Sequence, residues 1–212
     1  MVEKIKKGDF VELDYTAKIT DSEIVFDTTI EADAKKYDVY NKETKYKPLI
    51  VKIGEGHLVK GLDDFVIDKI PGVYKVDLNP EHAFGKKNAK LLRLVSIKEF
   101  HKNEIQPMPG LEVELDGYRG IVRAVSGGRV MVDFNHPLSS KDVTYDLNIK
   151  GIVTDPKLKV EAALELFKIP FENTENGENK VVVTFKAKIP DEVGAPIAAE
   201  LKKMTDVDVE FK

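Results

Sequence analysis

The first third of the chain alternates apolar and polar positions with a period close to two, interrupted by one loop and one segment of helical spacing. Alternation between residues 8 and 26, again from Leu49 to Ile53 and again from Tyr74 to Leu78, predicts strands. The polar stretch from Glu31 to Lys47 predicts a long loop with one helical turn. Apolar residues at helical spacing predict a short helix from about 58 to 67.

The middle of the chain predicts a small module made of strands. Alternating apolar residues from Leu111 to Leu115, 121 to 125 and 130 to 134 are separated by Asp116-Gly117 and Gly127-Gly128, which is typical of two successive hairpins. The segment from 86 to 102 is basic, a feature most common on a solvated face. A last strand from 143 to 153 could return to the first sheet.

The C-terminal part predicts a separate unit that begins at Pro156, a residue that favours a helix start. Apolar spacing then predicts a helix, a strand from 181 to 189, a second helix and a strand from 207 to 211. A unit this small lies near the lower limit for independent stability, so we expect it to need a partner surface.

Composition narrows the class of protein. Of the 212 residues 42% are hydrophobic and 33% are charged, which is typical of a globular chain. The net charge of −4 provides no overall positive potential that would attract nucleic acid or an anionic membrane. The chain has no cysteine, which excludes disulfides and thiolate chemistry. We expect a soluble, cytoplasmic protein, because neither a signal peptide nor a membrane-spanning run is evident.

Standard catalytic motifs are missing from the sequence. It has no phosphate-binding loop of the Walker type, no HExxH and no GxSxG, and its four histidines are too far apart for local metal spacing. We therefore expect no metal site and no cofactor.

Four short motifs, in chain order, resemble the FKBP-type peptidyl-prolyl isomerases. They are LDYTAKI (13–19), VFDTT (25–29), GEGHLVKGLDDFV (54–66) and PEHAFGK (80–86). The following segment, with LLRLV, DGYRG, SGGRV and DFNHPLSSK, resembles the insert-in-flap module of SlyD-like enzymes. The last unit resembles the extra C-terminal domain of longer archaeal members.

The resemblance implies an α+β fold in which an FKBP-like antiparallel sheet wraps a short helix. It implies a discontinuous isomerase domain (1–86 and 135–153), an inserted small all-β chaperone module (87–134) and a C-terminal α/β domain (157–212). We expect the C-terminal domain to form a homodimer; a second client-binding surface is the alternative.

The resemblance also implies a prolyl pocket. Its expected catalytic residues are Tyr15, Phe26, Asp27, Phe84 and Tyr145, and its expected substrate-binding residues are Leu49, Leu58, Val59 and Leu62. Many small members have Trp in place of Leu62 and Tyr in place of Phe84. Taken singly, these aromatic residues are more typical of core packing than of a pocket, and Asp27 could instead cap a turn.

For the inserted module we expect a client-binding surface, because it carries more apolar groups than so small a unit can bury. The candidate residues are Met108, Leu111, Tyr118, Val122, Val130 and Met131. The alternative is that they form the module's own core, as we expect for about half of them.

The function expected from this resemblance is peptidyl-prolyl cis-trans isomerisation and assistance to folding. The partners would be unfolded, proline-containing chains, without nucleic acid or membrane. Two alternatives remain: a holdase that binds proline without accelerating isomerisation, and an assembly module that recruits a defined partner through its C-terminal domain.

Overall fold

The structure is a computed structural model, which describes residues 3–186 and 189–212. The described chain divides into two compact units. The larger unit holds the described residues up to and including Leu78 and those from Asp142 to Lys212, and the smaller unit runs from Asn79 to Lys141. The strands form three separate sheets, and the helices are few and mostly short, which confirms the α+β class.

A five-stranded antiparallel sheet forms the frame of the larger unit. Its order is β2-β1-β9-β4, and β3 pairs with another part of β1. The alternation predicted for 8 to 26 therefore covers two strands joined by a turn, and the last predicted strand does return to the first sheet. The strands are β1 (Phe10–Ile19), β2 (Val25–Thr28), β3 (Leu49–Lys52), β4 (Gly72–Leu78) and β9 (Val143–Ile152).

Two short helices accompany this sheet. Helix α1 (Glu31–Lys36) is the helical turn predicted in the long loop, and α2 (Lys60–Val66) is the predicted short helix. Helix α2 buries Leu62 and Val66, which are four positions apart and so share one face. The spacing of apolar positions thus predicted α2 within a few residues, whereas α1 was expected only as one turn within the polar loop from 31 to 47.

The C-terminal residues of the larger unit form two helices and a three-stranded sheet of order β10-β11-β12. The prediction of helix, strand, helix, strand was correct but omitted β10. Ala187, in the predicted strand from 181 to 189, lies outside the described residues. The elements are α4 (Pro156–Leu166), β10 (Asn173–Asn176), β11 (Lys180–Thr184), α5 (Asp191–Thr205) and β12 (Asp208–Phe211).

These C-terminal elements share a core with the main sheet. Phe10 on β1 and Val153 after β9 are buried in one cluster with Leu164 of α4 and Leu201 of α5, and Ile50 on β3 packs against it. The expected partner surface is thus supplied within the chain, by the sheet of the same unit.

Polar contacts fix both ends of β3 to the C-terminal helices. Lys47 forms an ion pair with Glu165 of α4, and the ammonium of Lys52 donates to the carbonyl of Met204 at 2.8 Å. Strand β3 is therefore held along its length.

The smaller unit is built on a four-stranded antiparallel sheet of order β5-β8-β7-β6. The two predicted hairpins are present, with turns at Asp116-Gly117 and Gly127-Gly128. Strand β5 and helix α3 were not predicted, and Phe100 of α3 fills the core between the strands. The elements are β5 (Leu92–Ser96), α3 (Ile97–Lys102), β6 (Glu112–Leu115), β7 (Tyr118–Ser126) and β8 (Arg129–Asp133).

Candidate active site

The centre of the candidate site is a phenol bonded to a carboxylate. Tyr15 on β1 donates a hydrogen bond from its hydroxyl to Oδ2 of Asp27 on β2, at 2.6 Å. Burial, followed by the negative charge of Asp27, raises the pKa of Tyr15 far above its usual value. The phenol is therefore neutral at physiological pH and acts as a hydrogen-bond donor.

Aromatic rings surround this pair. Tyr145 on β9 lies 5.7 Å from Tyr15 between ring centroids, and Phe26 meets Tyr145 edge to face at 6.4 Å. Burial, and then the charge of Asp27, raise the pKa of Tyr145 to about 12. Four predicted site residues, Tyr15, Phe26, Asp27 and Tyr145, thus lie together on three neighbouring strands.

Two threonines that the sequence analysis did not single out hold Asp27 in register. Thr29 exchanges hydrogen bonds with the backbone of Tyr15, and Thr28 donates its hydroxyl to the carbonyl of Tyr15 at 3.0 Å. Thr28 also accepts from the amide of Ile30 at 3.1 Å. The turn after β2 is therefore capped by Thr28, while Asp27 faces Tyr15. The Thr-Thr pair in the motif VFDTT was the signal for this role.

The loop before α2 is shaped by a buried carboxylate. Asp63 accepts from the amide of Gly54 at 2.9 Å and from the amide of Gly56 at 3.4 Å. Gly54 has a φ of +87°, and an added Cβ would lie 2.5 Å from the side chain of Lys7, so glycine is required there. Asp63 was not singled out from the sequence.

Three of the predicted substrate-binding residues, Leu58, Val59 and Leu62, lie at the end of this loop and in the first turn of α2. The carbonyl of Val59 accepts from the amides of Leu62 and Asp63, and the amide of Val59 itself donates to no acceptor within the described ranges, 3–186 and 189–212. Leu58 and Val59 are half-buried, and Leu62 is fully buried. Leu49, on β3, is half-buried opposite Leu13 of β1.

Phe84 belongs to the smaller unit. Its ring stacks on His136 with centroids 4.8 Å apart and planes within 3°. It follows the short 3₁₀ turn Pro80–His82, in which Asn79 accepts from the amide of His82.

The candidate client-binding residues of the smaller unit divide into two groups. Val122 and Val130 are fully buried in the core around Phe100, and each faces inward on its strand, as expected for about half of the set. Their place among the client-binding candidates was therefore wrong. Leu111 also packs against that core. The exposed members are Met108 (57%), Tyr118 (62%) and Met131 (38%).

Strand β5 adds two apolar side chains to the exposed group, and neither was predicted. Leu94 (60% exposed) pairs directly with Met131 across β5 and β8, so the two side chains share one face. Leu92 lies two residues before Leu94 and has the same orientation. The open face of the sheet therefore carries Leu92, Leu94 and Met131 together.

A buried carboxylate joins the two ends of this module. Asp133 accepts from Asn135 through the backbone amide at 3.0 Å and the side chain at 2.8 Å. Asn135 also accepts from the amide of Asn88 at 2.7 Å and donates to its carbonyl at 3.2 Å. The entering and leaving segments of the module are thus bonded side by side, by residues that the sequence analysis did not identify.

The described side chains around Tyr15 can bind and orient a substrate. They offer aromatic surface, a neutral phenol and one carboxylate. Among the residues that the structure describes, no cluster of His, Asp and Glu is placed to hold a metal ion, and no helix is both long and apolar enough to cross a membrane. The arrangement suits a reaction that forms no bond to the protein.

Comparisons with known proteins identify relatives of both units. A family model described as FKBP-type peptidyl-prolyl cis-trans isomerase matches residues 2–103, and one described as the IF domain of FKBP26 matches residues 93–138. The short-type peptidyl-prolyl cis-trans isomerase of Methanocaldococcus jannaschii is 29% identical over 153 residues, which cover 72% of this chain and 96% of the relative.

A bacterial relative and a solved structure show similar coverage of this chain. The FKBP-type 16 kDa peptidyl-prolyl cis-trans isomerase of Escherichia coli K12 is 28% identical over 165 residues, 75% of this chain and 99% of the relative. The structure of the three FKBP domains of wheat FKBP73 aligns with a TM-score of 0.38 at 19% identity, over 73% of this chain and 43% of that one.

Proposed function

This chain belongs to the FKBP-type peptidyl-prolyl cis-trans isomerase family, and from that premise we propose that the cluster of Tyr15, Phe26, Asp27 and Tyr145 isomerises X-Pro bonds in unfolded or partly folded polypeptides. The observation that carries this proposal is the hydrogen bond of 2.6 Å between Tyr15 and Asp27 beside the aromatic rings. It supports the proposal because a phenol and a carboxylate, which would contact a twisting amide, are held beside the rings of Phe26 and Tyr145.

The reaction needs no nucleophile. Rotation about an X-Pro bond must break amide resonance, across a barrier of roughly 20 kcal/mol. The twisted amide is less polar than the planar one, so an aromatic site that excludes water stabilises it relative to the hydrated ground state. Neutral Tyr15 and Tyr145 keep such a site free of phenolate charge.

The remaining predicted residues take roles around this centre. The amide of Val59 would donate to a carbonyl of the bound peptide, next to Leu58. Leu49 and Leu62 would supply apolar lining, and the catalytic role of Phe84 remains a prediction. Asp27 would orient the twisting amide through its hydrogen-bonded carboxylate.

Client capture is the proposed role of the smaller unit. The exposed face with Leu92, Leu94 and Met131 supports it, because apolar side chains grouped on one face of a sheet suit partly unfolded chains, and Met adapts to varied partners. Met108 and Tyr118 are further exposed candidates. Binding a client on the same polypeptide that carries the isomerase site would raise the local concentration of the client's prolines.

Refolding of a protein limited by proline isomerisation tests both parts. The double variant Leu94→Ser/Met131→Ser should slow catalysed refolding severalfold while a short proline peptide is turned over at the wild-type rate. Val73→Ser is the matched control, since Val73 is 80% exposed on β4 of the larger unit.

Two outcomes would contradict the proposal. Equal refolding rates for the double variant and the control would remove client capture. A wild-type protein that suppresses aggregation but turns over neither substrate would be a holdase.

A homodimer through the C-terminal elements remains a prediction. An apolar groove of about 520 Å³ supports it; its walls include Phe185, Ile189, Val209 and Phe211. Sedimentation equilibrium tests it, and a monomer across the micromolar range would contradict it. The cytoplasmic location, the absence of nucleic-acid and membrane partners, and partner recruitment by an assembly module also remain predictions.

A further inference from the structure

A small cavity, distinct from the groove at the C-terminal elements, opens beside Asp27 on the side of β2 that faces the loop after α1. Its volume is about 220 Å³. Pockets for whole small-molecule ligands span roughly 300–1,000 Å³, so this cavity has the size for a single side chain. It is lined by Phe26 and Asp27 of β2 and by Val39, Asn41, Thr44 and Tyr46 of the loop.

The loop from 39 to 46, here called the tyrosine loop, is held in one shape by its own contacts. The rings of Tyr40 and Tyr46 stack with centroids 5.5 Å apart and planes within 19°. The Tyr46 hydroxyl accepts from the amide of Asn41 at 2.9 Å and donates to the carbonyl of Val39 at 3.4 Å. The cavity wall is therefore formed before any substrate arrives, which lowers the cost of binding.

The charge of the cavity has one sign. Asp27 is the only acidic residue in the lining, and no lysine, arginine or histidine lines it in the part of the chain that the structure describes. The hydroxyl of Tyr15 donates a hydrogen bond to Oδ2 of Asp27. Lys35 lies outside the lining, with its ammonium 5.0 Å from the centroid of the Tyr40 ring, and it is paired with Glu31 at 2.6 Å. Aromatic faces beside a carboxylate suit a cationic side chain, above all the planar guanidinium of arginine.

Phe26 connects this cavity to the proposed active site, because it meets Tyr145 edge to face and also forms part of the cavity wall. We propose that the cavity is a specificity subsite that binds the side chain of an arginine or lysine flanking the substrate proline. This inference rests on the proposed isomerase function.

Kinetics with proline peptides test the subsite. Two series are needed, with Arg, Ala or Glu placed either directly before or directly after the proline. We expect kcat/KM to favour Arg over Ala by about 2- to 5-fold in one series, as for a partly exposed ion pair, with Glu lowest. The preference should shrink in high salt.

Charge changes at Thr44 sharpen the test, since Thr44 is an exposed residue of the lining. Thr44→Glu should increase the preference for Arg, and Thr44→Lys should reverse it in favour of Glu, each measured as a ratio of kcat/KM to that of the Ala peptide with the same variant. Thr154→Glu and Thr154→Lys are the matched controls, because Thr154 is exposed and lies outside the lining.

The outcomes separate the subsite from the isomerase function. Turnover of the Ala peptides with equal rates for Arg, Ala and Glu in both series would overturn the subsite alone. A ranking that Thr44→Lys leaves unchanged, with the Ala rate intact, would also overturn it. If the Thr44 variants turn over the Ala peptides more slowly than wild type, the wild-type protein alone tests the subsite. A preference for Arg that shrinks in high salt then supports the subsite, and equal rates overturn it. No turnover of any peptide would overturn the isomerase function as well.

Discussion

Arg123 donates two hydrogen bonds to the buried carboxylate of Asp133. Its Nε lies 3.2 Å and its Nη2 lies 3.1 Å from the same oxygen, Oδ2. Lys87 reaches that oxygen at 3.2 Å, while Asn135 bonds the other one. Arg123 sits at the irregularity where β7 shifts register against β8, which accounts for its reach to Asp133. A strand irregularity and a buried charge thus occur together where the module closes.

Removal of this guanidinium should destabilise the smaller unit. Arg123→Leu leaves Asp133 with Lys87 and Asn135 as partners, and the Arg123 side chain is 46% exposed, so we expect a loss of about 1–2 kcal/mol. Native-state hydrogen exchange of the amides in 79–141 measures it. Arg119→Leu is the control, because Arg119 is 92% exposed and should cost less than about 0.5 kcal/mol. Equal costs would contradict this prediction.

The same carboxylate should make the smaller unit sensitive to acid. Burial opposes the charge of Asp133, but hydrogen bonds from Asn135, Lys87 and Arg123 outweigh burial and lower its pKa to about 2, from 3.8. Because the folded pKa is depressed, this stability is complete above about pH 4 and is lost as the pH falls towards 2. Asp133→Asn should therefore be less stable than wild type at pH 7, and the gap should narrow in that window. Urea unfolding at several pH values measures the gap, and a constant gap would argue against the assignment.

Loss of the Tyr15 hydroxyl should reduce catalysis more than stability. In Tyr15→Phe the carboxylate of Asp27 loses its 2.6 Å donor and its fixed orientation, so we expect kcat/KM for a proline peptide to fall about 3- to 10-fold. Tyr74→Phe is a matched control, since that hydroxyl donates to the carbonyl of Ile70 away from the site. An unchanged rate in Tyr15→Phe would show that the hydrogen bond is only structural.

The shared core predicts that the C-terminal elements and the main sheet unfold together. Phe10→Ala removes a buried ring from the cluster that contains Leu164 and Leu201, so we expect a cost of about 3–5 kcal/mol. Calorimetry with amide-resolved exchange should show both parts weakened alike. Phe167→Ala, at a 39% exposed position at the end of α4, should cost much less. Weakening of the main sheet alone would refute a common core.

The sequence predicted those elements whose apolar positions repeat regularly. Strands β1 and β9 and helix α2 were found because one face of each is buried and the other is not. Strand β10 has the sequence NTEN and no alternation; it forms because its backbone pairs with β11. Such pairing is a tertiary contact, which local composition does not encode.

Exposure of a strand's two faces was harder to predict than the strand itself. Val130 is buried and the adjacent Met131 is exposed, because α3 places Phe100 over only one face of the sheet. Helix α3 and strand β5 lay within the segment that was interpreted as a basic face. Because neither element was predicted, neither the burial of Val130 against Phe100 nor the exposure of Leu92 and Leu94 could be predicted.

Positioning residues escaped prediction for a related reason. Asp63, Thr28 and Asp133 act through hydrogen bonds to backbone amides or to distant side chains. A polar residue in a single sequence does not reveal its partner. The proximity of Tyr15 and Phe26 was easier to predict, because both belong to motifs that stand in the same order as in the family that the chain resembles.

The reciprocal bonds between Asn88 and Asn135 give the polypeptide between them the character of an interchangeable cassette. A segment that departs and returns at adjoining points can be excised and rejoined by a very short bridge, and it can be transplanted into a surface loop of another protein at little entropic cost. Duplication, loss or replacement of residues 89–134 would then leave the host chain's connectivity intact. Evolution, and equally the protein engineer, could alter the proposed client-binding surface by exchanging this one segment.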